Sequence, residues 1–282
     1  MNTRRLLADA TARLELAGVA SARADAEWLL AHVTGRTRTA LMLLDEVEEP
    51  AAAAFDALLE RRAGREPVQH LTGTAPFGDL ELVVGTGVFV PRPETEQLAE
   101  WGVATVSRAA LPAPVVVDLC TGSGAIAAWI AHQVPGARVH AVELDEGAYA
   151  YAERNLAAFD VDLRLGDAMH AFPELDASVD LVLANPPYIP LSAWEGVEQE
   201  VRDWDPALAL WSGEDGLDTI RVVEQVARRL LKPGGAVGCE HADAQREAAP
   251  KVFAATGGWT DVRDHRDLAD RPRFVAAVRR GA

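Results

Sequence analysis

The first 75 residues carry apolar side chains at the spacing of amphipathic helices. Leucines and alanines recur there every three or four residues, and Gly18, Gly35 and Gly64 follow three of the apolar segments. Pro50 stands at the start of the last segment, where proline is well tolerated. The pattern predicts four short helices with short links, which would form a small helical bundle over residues 1–75.

Strand-like stretches replace the helical period after this bundle. Residues 77–84 form one mostly apolar stretch, Gly85 follows, and residues 88–90 are apolar again. Two such stretches around a glycine-containing turn are typical of a β-hairpin. We therefore expect a hairpin linker over residues 76–92, between the helical bundle and a second domain.

Residues 93–282 alternate between short apolar stretches and longer segments of helical period. The predicted strands cover residues 115–119, 138–143, 161–165, 179–184, 236–240, 259–264 and 273–279, and the predicted helices cover residues 125–134, 146–158, 216–231 and 243–255. This alternation is typical of an α/β domain with a doubly wound, mostly parallel sheet between two helical layers. The last two strands have only a turn between them, which predicts an antiparallel edge.

The charge balance limits the classes of partner. The chain has 27 Lys and Arg against 43 Asp and Glu, a formal net charge of −16. Because nucleic-acid binding relies on cations that neutralise phosphates, we expect no direct nucleic-acid binding. No apolar run is long enough to span a membrane, and Asp9 interrupts any secretory signal core, which favours a cytoplasmic protein. Cys120 and Cys239 have no partner at metal-ligand spacing, so we expect neither a metal site nor a disulfide.

A glycine-rich turn follows the first predicted strand of the α/β domain. Gly122 and Gly124 lie in the sequence DLCTGSGA, between that strand and the next helix, where backbone N–H groups can bind a polar ligand. Glu143 ends the second strand, and a carboxylate there can accept hydrogen bonds from both ribose hydroxyls. The turn also satisfies the G-x-G-x-x-G/A dinucleotide fingerprint. It therefore predicts an adenosine cofactor without distinguishing a nicotinamide cofactor from another one.

The tetrapeptide Asn185-Pro186-Pro187-Tyr188 follows the apolar strand at residues 179–184. Each proline restricts the backbone of the residue before it, so the tetrapeptide is stiff. It also stands at the carboxyl end of a strand, where open α/β sheets bind their ligands. The Asn185 side-chain oxygen and the Pro186 backbone oxygen can each accept one hydrogen of a planar –NH2 group, and Tyr188 can stack on its face. We interpret the tetrapeptide as a pocket for a planar amide or amino nitrogen.

Together these two motifs resemble those of class I S-adenosylmethionine-dependent methyltransferases that methylate planar nitrogens. Two further segments, REPVQHLTG at residues 65–73 and VPRPETE at residues 90–96, are similar to the bacterial peptide chain release factor N5-glutamine methyltransferases, the PrmC/HemK family. The resemblance covers nearly the whole chain. It implies a Rossmann-like catalytic domain, the cofactor S-adenosyl-L-methionine with its product S-adenosyl-L-homocysteine, and methylation of the Gly-Gly-Gln glutamine of class I release factors, which tunes translation termination.

The resemblance also assigns roles to individual residues. The implied catalytic residues are Asn185, Pro186 and Tyr188, and the implied glutamine pocket is Asn185, Pro186, Pro187 and Tyr188. The implied cofactor-binding residues are Asp118, Cys120, Thr121, Gly122, Ser123, Gly124, Glu143, Asp167 and Asn185. Arg92, Glu94 and Thr95, at the end of the hairpin linker and just after it, are expected to shape the pocket, and Gln245 is given no role.

This chain departs from the family pattern at several positions. Cys120 and Ser123 stand where Gly and Thr often occur, Glu143 replaces a more usual Asp, and the glycine usual after Glu240 is absent. The first two are tolerable in a loop that binds through its backbone, and the third keeps the same chemistry. The last is the reason for leaving Gln245 without a role.

Other classes of protein stay open from the residues alone. A nicotinamide-dependent oxidoreductase fits the glycine turn but leaves residues 185–188 unexplained, and a non-catalytic binding module fits the bundle and the acidic charge. A DNA adenine methyltransferase shares the Asn-Pro-Pro-Tyr sequence but needs a basic DNA-binding domain, whereas residues 195–218 carry eight acids and one arginine. We expect a monomer in which the N-terminal bundle and this acidic segment bind the release factor, because a glutamine side chain alone cannot specify one protein.

Overall fold

The computed structural model describes residues 1–281 and divides into two compact units. The helical unit holds Met1–Thr74, Val84–Thr86 and Glu198–Trp204, and the sheet unit holds Ala75–Val83, Gly87–Val197 and the chain from Asp205 onward. The helices are α1 Thr3–Leu16, α2 Ala22–Thr34, α3 Arg38–Leu41, α4 Glu49–Ala63, α5 Val68–Thr72, α6 Thr95–Arg108, α7 Ala125–Gln133, α8 Glu146–Leu156, α9 Gln199–Trp204, α10 Asp218–Leu230 and α11 Ala248–Ala255. The strands are β1 Thr74–Phe77, β2 Leu80–Val83, β3 Val115–Leu119, β4 Arg138–Glu143, β5 Val161–Leu165, β6 Val179–Ala184, β7 Leu231–Glu240, β8 Trp259–Arg266 and β9 Pro272–Arg279.

The helical unit packs its helices around one apolar core. Leu14, Leu29, Leu30 and Phe55 are almost completely buried there, as the helical spacing predicts. The sequence pattern predicts four helices up to residue 75, whereas the structure has five. The additional helix, α5, is a single short turn that ends at Gly73 in the left-handed conformation, so it offers too few periodic positions to be found from the pattern.

A buried ion network ties α9 into the helical unit. Arg62 is 2% exposed, and its guanidinium donates to Asp25 at 2.7 Å and to Glu200 at 2.9 Å. Arg65 lies 2.9 Å from the same Glu200 carboxylate. Part of the acidic segment expected to contact a partner therefore neutralises arginines of its own chain, and Glu200 is engaged internally.

The β-hairpin lies earlier in the chain than predicted. The sequence analysis places its turn near Gly85, whereas β1 and β2 pair around a turn at Gly78 and Asp79, and residues 88–90 form no strand. Gly78 has a φ of +59°, and a Cβ atom there would lie 2.3 Å from the Trp129 ring. Tertiary packing against Trp129, which no local pattern records, thus selects the glycine that turns the chain.

The sheet unit confirms the predicted doubly wound fold. Its seven strands follow the order β5-β4-β3-β6-β7-β9-β8; the first five run parallel, and β9 is antiparallel to both β7 and β8. Alternate strand residues face opposite helical layers. Val116, Leu181 and Leu183 pack with α6, α7 and α8, whereas Val117 and Val182 pack with α10 and α11. The two apolar layers fix the register, because a one-residue slip would turn each strand over.

Several elements differ from the pattern-based expectation. The helix α6 was not predicted, although four of its buried residues, Leu98, Ala99, Gly102 and Val106, share one face. Gly102 allows close contact with β6, because a Cβ there would lie 2.8 Å from Leu183. The expected helix at residues 243–255 divides into a 3-10 turn, Asp243–Gln245, and α11. Within residues 1–281, none of the helices combines the length and the apolar composition that crossing a bilayer requires.

Candidate active site

The glycine-rich loop lies at the carboxyl end of β3, with open space at one glycine and α8 packed against the other. Gly122 has a φ of +59°, and a Cβ atom there would meet no atom within 4 Å, so open space faces this backbone. Gly124 has a φ of +85°, and its Cβ would come within 3.1 Å of Leu156 on α8. Cys120 adopts a φ of +60° without being glycine, which is a strained backbone for that side chain. The loop thus leaves its backbone open at Gly122 and packs tightly against α8 at Gly124.

Glu143 closes this loop from the end of β4. Its Oε2 atom accepts a hydrogen bond from Gly122 N at 2.8 Å, and its Oε1 atom accepts from Leu144 N and Asp145 N, each at 2.9 Å. A carboxylate offers about four acceptor positions, so roughly one remains for a ligand hydroxyl. Burial is the largest influence on this group and raises the pKa of Glu143. The carboxylate therefore shapes the loop and keeps about one acceptor position open.

Asp118 lies beneath the loop, at the end of β3. It is 1% exposed, and its Oδ2 atom accepts hydrogen bonds from Thr121 Oγ1 at 2.5 Å and from Ala127 N at 3.2 Å. Its Oδ1 atom is buried without a hydrogen-bond partner. Burial raises the pKa of Asp118 to about 7. An unpaired buried acceptor at the base of this loop fits a polar ligand that brings a hydrogen-bond donor.

Asp167 follows β5, so it lies at the same edge of the sheet as Asp118 and Glu143. The strands β5, β4 and β3 are neighbours and parallel, which brings their carboxyl ends side by side. Asp167 is exposed, and its Oδ1 atom accepts a hydrogen bond from Met169 N at 2.9 Å. Asn155 fixes the other flank of the loop by donating to Ser123 O at 2.8 Å. All the cofactor positions suggested by the family resemblance therefore lie where the parallel strands have their carboxyl ends.

The tetrapeptide at residues 185–188 extends from the carboxyl end of β6, next to β3. The strand order reverses direction between β3 and β6, which is where doubly wound sheets open a ligand crevice. Pro186 is buried, and Asn185 and Tyr188 are half-buried. Asn185 Nδ2 donates to Thr95 Oγ1 at 3.2 Å, and Tyr188 OH donates to Glu240 Oε1 at 3.3 Å. Burial raises the pKa of the Tyr188 phenol, so this side chain acts as a neutral hydroxyl.

Two residues behind the tetrapeptide were missed as parts of the site. Gln245 is buried, and its Nε2 atom donates to Tyr188 O at 2.9 Å and to Gly216 O at 3.1 Å, while its Oε1 atom accepts from Ala242 N at 2.9 Å. Glu240 is 1% exposed and accepts from Thr95 Oγ1 at 2.8 Å. An acid that ends a strand of buried apolar residues was an available signal for Glu240. Gln245 had none, because its contacts join segments far apart in the chain.

Thr95 and Arg92, two of the residues expected to shape the pocket, make contacts in different parts of the sheet unit. Thr95 lies between Asn185 and Glu240, so it belongs to the tetrapeptide's surroundings. Arg92 instead binds the buried Asp205 carboxylate at 2.6 Å and stacks over Phe89 at 4.9 Å. Arg92 therefore makes an ion pair that anchors the segment leading into α6.

Comparison with known proteins matches this chain to two domain families and to the fold of a solved structure. The family described as the PrmC N-terminal domain matches residues 5–73, and one described as a methyltransferase domain matches residues 116–204. The crystal structure of the hMettl16 catalytic domain in complex with MAT2A 3'UTR hairpin 6 aligns with a TM-score of 0.54 over 84% of each chain, at 14% identity. At that identity the likeness shows the fold alone.

The strand order, the loop after β3 and the matching domain define this chain as a methyltransferase of the class I fold. A release factor glutamine methyltransferase from Streptomyces coelicolor is 53% identical over 96% of both chains. Another from Mycolicibacterium smegmatis is 49% identical over 96% of this chain and 95% of its own. The chain belongs to the release factor glutamine methyltransferase family, which confirms the resemblance seen in the sequence. It is an enzyme, so neither an oxidoreductase nor a non-catalytic binding module describes it.

A third relative carries a different name. It is the 4-amino-L-phenylalanine/4-methylamino-L-phenylalanine methyltransferase of Streptomyces pristinaespiralis, 42% identical over 90% of this chain and 88% of its own. The names of relatives at this level of identity therefore state different substrates. The substrate of this chain needs a direct test.

Proposed function

We propose that this enzyme transfers a methyl group from S-adenosyl-L-methionine to the side-chain amide nitrogen (N5) of the glutamine in the Gly-Gly-Gln motif of class I release factors. The observation that carries the proposal is the stiff Asn185–Tyr188 tetrapeptide at the switch point of the sheet. It occurs in a chain that is 53% identical to a release factor glutamine methyltransferase. Its two acceptor oxygens and adjacent ring match the two hydrogens and planar face of a carboxamide.

The residues of the sheet edge fit the proposed cofactor. The unpaired Oδ1 of Asp118 fits an amino group, the one remaining acceptor position of Glu143 fits a ribose hydroxyl, and the open backbone at Gly122 admits a ligand closely. Asp167, exposed at the end of β5, fits the adenine end of the same molecule. When bound, the cofactor supplies an electrophilic methyl group, and it needs no metal ion to do so.

The tetrapeptide would act by holding and polarising the substrate amide. An amide nitrogen is a weak nucleophile because its lone pair is delocalised into the carbonyl group. Hydrogen bonds from both N–H groups to Asn185 Oδ1 and Pro186 O would fix the nitrogen in place, which supplies orientation. The same two oxygens would stabilise the positive charge that grows on nitrogen during methylation. No general base is required, because the methylated amide is strongly acidic and loses its proton to water.

The helical unit is the proposed binding site for the body of the release factor. Met42 and Leu43, after α3, are 79% and 88% exposed, and adjacent exposed apolar side chains favour contact with a partner. Replacing both with serine should raise KM for the intact factor about tenfold and leave KM for a Gly-Gly-Gln peptide unchanged. Leu268→Ser is the matched control, because Leu268 is 89% exposed in the sheet unit. Equal effects on factor and peptide would exclude this role.

Mass spectrometry of the substrate tests the function as a whole. Purified class I release factors incubated with the enzyme and S-adenosylmethionine should gain one methyl group on the Gly-Gly-Gln glutamine, and a Gly-Gly-Asn variant should gain none. Free 4-amino-L-phenylalanine serves as the competing substrate, since one relative is named for it. Methylation of the amino acid with an unmodified release factor would refute the proposal.

A further inference from the structure

We propose that Glu240 is a positioning residue which, acting through Thr95, fixes which end of the Asn185 carboxamide faces the substrate. This inference rests on the proposed function, in which Asn185 must offer an oxygen rather than an N–H group to the substrate amide.

A continuous chain of hydrogen bonds links the three side chains. Asn185 Nδ2 donates to Thr95 Oγ1 at 3.2 Å, and Thr95 Oγ1 donates to Glu240 Oε2 at 2.8 Å. The other carboxylate oxygen, Oε1, accepts from Tyr188 OH at 3.3 Å. Glu240 and Thr95 are 1% and 2% exposed, so water does not compete for these bonds.

The direction of these bonds follows from the chemistry of the groups. An ionised carboxylate can only accept hydrogen bonds, so the single proton of the Thr95 hydroxyl is committed to Glu240. The remaining lone pairs of Thr95 then face Asn185 and can bond only to its –NH2 end. The Oδ1 atom is thereby turned away from Thr95 and is available to accept an N–H from the substrate.

Protonation of Glu240 would remove this constraint. A neutral carboxyl group can itself donate to Thr95, whose hydroxyl proton would then be free to turn towards Asn185 Oδ1. The carboxamide would reverse and present its –NH2 group to the substrate –NH2 group, which places donor against donor. Such a site could no longer stabilise positive charge on the substrate nitrogen.

Burial, more than the charged surroundings of Glu240, places its titration in an observable range. Arg273 on β9 favours the ionised form, Glu94 ahead of α6 opposes it, and the hydrogen bonds from Thr95 and Tyr188 favour it. Arg273 is itself shared with Asp267 at 3.0 Å and Asp243 at 3.3 Å. Burial outweighs these effects and raises the pKa of Glu240 to about 7.

Selective labelling of asparagine gives a readout that does not depend on turnover. The chain contains three asparagines, Asn2, Asn155 and Asn185, so ¹⁵N-asparagine labelling yields three side-chain –NH2 signals, and the Asn185→Ala variant identifies the third. In the full-length parent the Asn185 signals should shift with a midpoint near pH 7. In Glu240→Gln, which keeps the shape but cannot ionise, that shift should disappear. A pH-independent Asn185 signal in the parent, or an unchanged titration in Glu240→Gln, would overturn the inference.

Kinetics with a Gly-Gly-Gln peptide test the consequence for catalysis. Thr95→Val removes the hydroxyl at nearly constant volume and should lower kcat about 10- to 100-fold, with KM and cofactor affinity within about threefold of the parent. Thr95→Ser restores the hydroxyl and should recover most of that loss. Equal kcat values for the Val and Ser variants would contradict the relay through Thr95.

A second buried carboxylate provides the structural control. Glu224 on α10 is 4% exposed and accepts from Trp259 Nε1 at 2.7 Å and Thr256 Oγ1 at 2.9 Å, with no bond to the tetrapeptide. Glu224→Gln should leave both the Asn185 titration and kcat as in the parent. If the Asn185 titration depends on Glu240 but no release factor or peptide is methylated, the proposed function fails while the positioning role of Glu240 stands.

Discussion

The buried carboxylate of Asp118 makes a quantitative prediction about stability. Its pKa rises from 3.8 to about 7 because the group is buried. The folded chain therefore binds this proton more tightly than the unfolded chain, so the contribution of Asp118 to stability is full below about pH 4 and is lost as the pH rises towards 7. From these two pKa values, the loss between pH 5 and pH 8 is about 2.5 kcal/mol.

The variant Asp118→Asn isolates this effect. An asparagine oxygen can still accept from Thr121 and Ala127, while its –NH2 group replaces the unpaired oxygen and does not titrate. Urea unfolding of parent and variant at pH 5, 6, 7 and 8 should show the variant gaining about 2.5 kcal/mol relative to the parent across that range. Subtracting the two curves cancels the contribution of Glu240, which is present in both proteins. Asp9→Asn, at an exposed carboxylate, is the control and should not gain unfolding free energy relative to the parent across this pH range. A difference that stays constant within about 0.5 kcal/mol would mean that Asp118 is ionised throughout, and would refute the reasoning.

Three further predictions concern catalysis, cofactor binding and the helical unit. Asn185→Ala should lower kcat about 10²–10³-fold in a methyl-transfer assay without a change in circular dichroism, and activity within threefold of the parent would remove Asn185 from the site. Glu143→Ala should weaken S-adenosylmethionine binding by about 1.5–3 kcal/mol in calorimetry, and an unchanged affinity would contradict its role. Arg62→Ala leaves Asp25 without its buried partner and should cost about 3–5 kcal/mol of unfolding free energy, whereas Arg13→Ala, at an exposed pair, should cost below about 1 kcal/mol; similar costs for both would argue against a buried network.

The strands of the parallel sheet could be located from the sequence because their signal is local. Four of them, at residues 115–119, 138–143, 161–165 and 179–184, begin and end where the apolar pattern predicts. The strands β3 and β6 are buried nearly throughout, which requires almost every residue to be apolar, whereas β5 alternates apolar and polar residues. Both patterns are local, so they record the ends of a strand directly. The hairpin turn at Gly78 was misplaced because contact with Trp129 decides it, whereas α6 was missed although four of its buried residues share one face.

The sequence by itself determined the chemistry available to this protein: the glycine-rich loop, the stiff tetrapeptide and the carboxylates that end successive strands. These are local features, since glycine and proline act on their own backbone and a strand ends where its apolar run ends. Only the tertiary structure decided which side chains stand behind them. Thr95, Glu240 and Gln245 reach the tetrapeptide from α6, β7 and the turn after β7. A hydrogen bond depends on a few tenths of an ångström between groups that the fold brings together, and the spacing of residues along the chain does not encode that distance.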